Sequence, residues 1–167
     1  MTRNYSDALK KIQVKRDSLG IIRQAMIEST GKDEAETTCR SLLETCISDG
    51  VVAFQKFCEG LYVDFGEPAF NAFQRLDQGS DLWKEAIGYG YEDWLGLDEL
   101  NGLKVLYQKR HILAHNDGIV DAQYIKKSGD EAYKEGQRIV VSERDIGELL
   151  AYLDKLGSAL KAACGKS

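Results

Sequence analysis

An all-α bundle of antiparallel helices, with one short extended excursion before the last helix, is the fold class this sequence predicts. Three observations predict it. Apolar residues recur at spacings of three, four and seven along most of the chain. Serine, aspartate and glycine stand where helices would start and stop. Runs with β character are confined to 119–125 and 138–141, on either side of a polar, glycine-containing stretch.

In chain order, Tyr5, Leu9, Ile12, Leu19, Ile22 and Met26 form the buried stripe of a first amphipathic helix, with its exit at Gly31-Lys32-Asp33. A second long helix begins between Asp33 and Glu36 and buries Cys39, Leu43, Cys46, Phe54, Phe57 and Leu61 against the first. Pro68, the only proline, suits the first turn of a short helix carrying Phe70, Phe73 and Leu76. Gln78-Gly79-Ser80-Asp81 closes that piece and caps the next, Leu82 to Ile87. The stretch 88–96 reads as an ordered loop whose aromatic rings plug a gap between helices; stacking on unpaired bases is the other use such rings can have. Leu97 opens a helix with Leu100, Leu103, Leu106 and Tyr107 on one face, running through Arg110 to His115 and ending at Asn116-Asp117-Gly118. Ser142 with Asp145 makes a capping-box start for a last helix through Ile146, Leu149, Leu150, Leu153 and Leu156.

The 167 residues suit one domain, residues 1–167, able to bury a core without disulfides or a structural metal. Hydrophobic residues at 43% and charged residues at 29% are the balance of a globular chain. No apolar run suits a bilayer and the opening residues carry no secretory h-region, so the expectation is a cytoplasmic protein without membrane contact. The four cysteines form no CxxC pair; Cys39 and Cys46, seven apart on one helical stripe, read as buried thiols. A net charge of −5 argues against coating duplex DNA by bulk electrostatics. Locally the sign reverses: from Lys104 to Arg138 seven basic residues face five acidic ones, which steers an anionic ligand toward this part of the chain.

Within that part, Arg110 and His115 stand five apart at the polar end of an apolar helix, in a chain with only two histidines. Five residues turn through about 140° on an ideal helix, so the two side chains flank a groove. A planar guanidinium grips two phosphate oxygens at once, and an imidazole exchanges protons near neutrality. A phosphodiester between them would receive charge from Arg110 and proton transfer from His115. With RNA the adjacent 2′-hydroxyl supplies the nucleophile and no metal is required; DNA lacks that hydroxyl.

Lys109-Arg110-His111-Ile112-Leu113-Ala114-His115-Asn116 resembles the Arg-polar-x-x-x-His motif of the HEPN superfamily, with His111 in the polar slot. Asp117 to Tyr124, Gly136-Gln137-Arg138 and the closing helix resemble a bacterial branch of it, so the likeness runs over about Cys39 to Leu160. The resemblance implies a helical bundle that dimerises and joins two motifs in one basic cleft. It further implies a metal-independent endoribonuclease of toxin–antitoxin, anti-phage defence or RNA-processing systems, needing no cofactor and leaving a 2′,3′-cyclic phosphate. Arg110 and His115 would be the catalytic pair, while His111, Asn116 and Lys109 would support the cleft or position substrate. RNA, a second copy of the chain, and an antitoxin or larger defence complex are the implied partners. Asp117 stands where one toxin branch has a tyrosine two residues after the histidine, so this chain departs from that branch. Glu44 and Asp49 are the acidic residues that an early helix would lend to the site.

Other accounts compete with this one. Arg110 can form a helix-end ion pair while His115 sits favourably near the negative end of the helix dipole. His111 and His115 at i and i+4 can bind a metal, though neither a third histidine nor an HExxH pattern accompanies them. Lys126 and Lys127 read more readily as solvated surface than as substrate contacts. Gly165-Lys166-Ser167 imitates the end of a phosphate-binding P-loop, but Leu160 stands where glycine is required. A non-catalytic RNA-binding, nucleotide-binding or dimerisation module is the alternative function, and a toxin silenced by its antitoxin a third.

Overall fold

Helical periodicity emerges as seven α-helices in the computed structural model, which describes residues 2–166. They are α1 (Thr2–Asp17), α2 (Leu19–Thr30), α3 (Lys32–Tyr62), α4 (Leu76–Ile87), α5 (Leu97–His115), α6 (Ala122–Ser128) and α7 (Glu143–Ala163), with short 3-10 turns at Ala72–Gln74 and Tyr91–Asp93. The fold is all-α: no β-strand occurs among the described residues, and the extended excursion reduces to one antiparallel bridge between Ile119 and Arg138. Met1, where the chain opens, and Ser167, which ends the Gly-Lys-Ser stretch, lie outside the described residues.

The single first helix that the spacing predicts is two helices. Ser18 turns its hydroxyl back to donate to the Val14 carbonyl at 2.7 Å, the local competition that makes serine a weak helix-interior residue. Gly31, at φ 98°, then reverses the chain where a side chain would be strained. α1 and α2 run antiparallel to α3, as the Lys15–Asp49 and Arg23–Glu36 ion pairs record.

α7 closes the core against α1, α3 and α5. Tyr5 joins three of these elements: its ring stacks on Phe57 at 4.3 Å, and its hydroxyl donates to the Leu153 carbonyl at 2.7 Å. The capping box at α7 forms as its residues predict, with the Asp145 amide donating to the Ser142 hydroxyl and the Ser142 amide donating to the Asp145 carboxylate. Cys39, Cys46 and Cys58 are buried free thiols, and Cys164 is free and half-buried.

Three local expectations are corrected. Pro68 lies in a loop, and the 3-10 turn begins only at Ala72, after Asn71 adopts a left-handed φ of 57°. A polar network holds this bend: Gln74 donates from its side-chain amide to Gln55 at 2.7 Å. Phe70 is consequently 90% exposed instead of carrying a helix face. Second, 78–81 does not end a helix but lies inside α4, because the Ser80 hydroxyl serves as acceptor for the Tyr91 amide rather than as a cap. Third, 122–125 is helical, since the Asp121 carboxylate caps α6 by accepting from the Tyr124 amide at 2.7 Å.

Gly79 is the residue that lets the 88–96 segment close. A methyl there would stand 2.8 Å from the Tyr91 hydroxyl and 3.2 Å from Phe73. Tyr91 is 1% exposed and cannot swing away, so Gly79→Ala is expected to cost about 1–3 kcal/mol, read as a lowered denaturation midpoint. The aromatic plug is thereby borne out at Tyr91, while Tyr89 remains exposed against Trp94.

Candidate functional site

The site is built on the second half of α5. Glu99 accepts from the Gly96 amide at 2.8 Å to start the helix, and Asn116 ends it, donating from its backbone to the Ile112 carbonyl. Between these ends, burial of Leu103, Leu106, Tyr107 and Ile112 fixes how the helix is rotated. Arg110 and His111 are thereby turned to one cleft of about 460 Å³. α6 packs across α5 and delivers Lys126 and Lys127 to the same cleft; the start of α4 brings Arg75 and Asp77, and α5 adds Lys104.

Five basic side chains therefore face one carboxylate around this space. The arrangement leaves polar groups unused. The Arg110 Nε is buried without a hydrogen-bond partner, and so is the hydroxyl of Tyr107, a lining residue only 4% exposed. A buried donor left unpaired costs about 1–3 kcal/mol. Burial raises the Tyr107 phenol well above its ordinary pKa, with a lesser contribution from Cys58, and keeps it a neutral donor.

His111 lines this cleft, whereas His115 is exposed and does not. The two rings lie 4.8 Å apart, tilted by 52°. His111 has its pKa lowered, first by burial and then by the charges of His115, Lys127 and Arg110, so it is held as neutral imidazole near pH 7. An imidazole whose folded pKa lies below its unfolded value of about 6.5 is protonated more readily in the unfolded chain. Stability is therefore expected to fall as pH drops from 6.5 through the lower folded value. Denaturation at pH 7.5 and 5.5 should show a smaller pH effect in His111→Gln than in the parent chain.

No family model, curated protein or solved structure matches this chain. Among the described residues, His, Cys, Asp and Glu gather into no group of three or more able to hold a metal ion. No helix there is long and apolar enough to cross a membrane.

The remaining predicted residues separate. Asn116 is exposed, with its side-chain amide donating to the Ile119 carbonyl at 2.7 Å. Of the two roles expected of Lys109, supporting the cleft or positioning substrate, its placement fits the first: it is 7% exposed, and its Nζ donates to Asp145 at 2.9 Å and to the Val140 carbonyl at 3.2 Å. One residue's rotation about α5 turns it away from Arg110 and toward α7. Glu44 is engaged by Arg138 at 2.7 Å beside Leu113 and Asp117, in a different depression, and Asp49 by Lys15. Neither lines the Arg110 cleft.

Sequence reasoning missed Arg75, Lys104 and Tyr107, and gave Lys126 and Lys127 to the solvent. A signal existed for Lys104 and Tyr107, which precede His111 by seven and four residues and so repeat along one helix face. None existed for Arg75, which arrives from a loop 35 residues away.

Proposed function

We propose that the chain is a metal-independent endoribonuclease acting on single-stranded RNA, with Arg110 and His115 as catalytic pair. The observation that supports it is the convergence of Arg110 and four further cations on one cleft, with the His111 imidazole at its border and His115 4.8 Å from it outside. Arg110 grips the scissile phosphate. His115 takes the 2′-hydroxyl proton, the freed oxygen attacks phosphorus, and the bond to the 5′-oxygen breaks as that oxygen takes the proton back from the His115 imidazolium. The products are a 2′,3′-cyclic phosphate and a 5′-hydroxyl. His111, held neutral, orients the His115 ring and borders the cleft.

His115 faces outward, which suits a site completed by a second copy of the chain and a role in toxin or defence systems where RNA is the target. A second reading is favoured by the same placement: with His115 outside the cleft, the cations can serve a binding module that forms no product. Incubating the purified chain with single-stranded RNA in chelator decides between them. Fragments ending in a cyclic phosphate support cleavage; bound, intact RNA overturns it.

A further inference from the structure

The chain holds only two histidines, and both stand together, four residues apart on α5. Positions i and i+4 on a helix put the Cβ atoms about 5–6 Å apart on one face. Here the imidazole rings follow: their centres lie 4.8 Å apart, tilted by 52° rather than stacked flat. That distance matches coordination chemistry. A Zn–N bond of about 2.0–2.1 Å, in line with its ring centre, puts the ion about 3.2 Å from that centre. Two centres 4.8 Å apart then subtend about 97° at one ion, between a right angle and the tetrahedral value of about 109°. Both side chains are exposed, and neither takes part in an ion pair among the described residues.

We infer that His111 and His115 form a two-imidazole chelate for a divalent transition-metal ion of the Zn²⁺ or Ni²⁺ class, one ion per chain. Two protein ligands leave the other positions to water, so the site is open and not of the closed four-ligand kind that holds a fold together. Its surroundings decide what it excludes. Lys127 and Arg110 repel a cation beside His111, and Asp121 attracts one. The field is therefore not what holds the ion; the two nitrogen bonds are. Imidazole suits zinc and nickel, whereas Mg²⁺ takes oxygen ligands and sheds water reluctantly, so Mg²⁺ finds no ligand here. Thiols compete little, since Cys39, Cys46 and Cys58 are buried and Cys164 is half-buried. Metal binding stands apart from any cleavage, while its consequence rests on the ribonuclease reading. An imidazole whose lone pair is bound to a metal takes no proton from a 2′-hydroxyl, so a bound ion silences His115. The ion is then a reversible inhibitor that chelator removes.

Calorimetry of the full chain, stripped with chelator and then freed of it, tests the site with Zn²⁺ and with Mg²⁺. A Cys164→Ser background removes the half-buried thiol as a rival ligand. Zn²⁺ is expected to bind at one ion per chain, at least tenfold more tightly than Mg²⁺. His111→Gln and His115→Gln should each weaken Zn²⁺ at least tenfold, because one imidazole alone forms no chelate. Both residues are exposed, so both variants are expected to fold, which circular dichroism checks. A second measurement needs no titration: the untagged chain should be retained on immobilised Ni²⁺ and released by free imidazole, while either single variant passes through. Zn²⁺ binding that survives both histidine changes overturns the inference, as does equal affinity for Zn²⁺ and Mg²⁺ or no Zn²⁺ binding at all. Saturating Zn²⁺ should lower RNA cleavage at least tenfold, and excess chelator should restore it. Undiminished cleavage by the zinc-loaded chain overturns the inhibitory role. Cleavage in chelator by a chain that binds no Zn²⁺ leaves the ribonuclease proposal standing and removes this one; Zn²⁺ binding with no cleavage in chelator does the reverse.

Discussion

His115→Ala is expected to lower RNA cleavage by about 10²–10⁴-fold, the range that a positioned acid–base group contributes. Arg110→Ala should cost about 10²–10³-fold, as loss of a donor aimed at developing phosphate charge does. Arg110→Lys separates charge from geometry: it keeps the positive charge and loses the planar fork, so cleavage should remain well below the parent's. Circular dichroism and a thermal melt check that each variant folds, which His115 favours by being exposed. Because His115 lies outside the cleft that Arg110 lines, the two are expected to cooperate between copies of the chain. Mixing inactive Arg110→Ala with inactive His115→Ala should then restore about a quarter of the activity, since half of the dimers are mixed and each has one intact site. Undiminished cleavage in both single variants removes the mechanism; cleavage lost in both with no restoration on mixing places the pair within one chain.

The long helices were legible because their period is set by burial on one face. α3, α5 and α7 each span five or more turns, enough for the pattern to override any local exception. Two of the failures share a cause, a polar side chain whose partner lies elsewhere. Ser80 and Asp121 look alike as caps, yet Ser80 accepts from Tyr91 eleven residues away while Asp121 caps its own helix. Composition around each gives no means of telling them apart. Gln74 and Gln55, which bend the chain after Pro68, meet only because α3 returns beneath that loop.

The candidate site divides in the same way. Arg110 is legible from its spacing to His115 and His111 from the polar slot of the motif, and the cleft that Arg110 and His111 share follows from rotation of one helix. Lys126 and Lys127 read as solvated charge in the polar stretch just past the β-like run 119–125, inside which α6 in fact starts. Once Asp121 caps it, a helix of seven residues turns both lysines toward α5. For Lys109 the spacing left supporting and substrate-positioning roles open, and only the position of α7 shows it buried.

That buried lysine makes the second large effect. Lys109 and Asp145 pair at 2.9 Å with side-chain exposures of 8% and 17%, and Asp145 also accepts from the Ser142 amide at the start of α7. Asp145→Ala strands an ammonium in the interior and removes half of the capping box. A buried pair broken on one side costs about 3–5 kcal/mol, so the denaturation midpoint should fall steeply. Lys109→Met is expected to cost much less, because its methylene stem is replaced by apolar volume and Asp145 keeps its capping partners. The double variant should recover much of what Asp145→Ala loses, a coupling that a double-mutant cycle in chemical denaturation reads directly. The pair also ties the α5 turn that carries Arg110 and His111 to α7, so Asp145→Ala should lower binding of anions at the cleft more than Lys109→Met does. A cost below about 1 kcal/mol for Asp145→Ala, or equal costs for the two single variants, would show that the ammonium finds water and that the cleft's orientation rests on apolar packing alone.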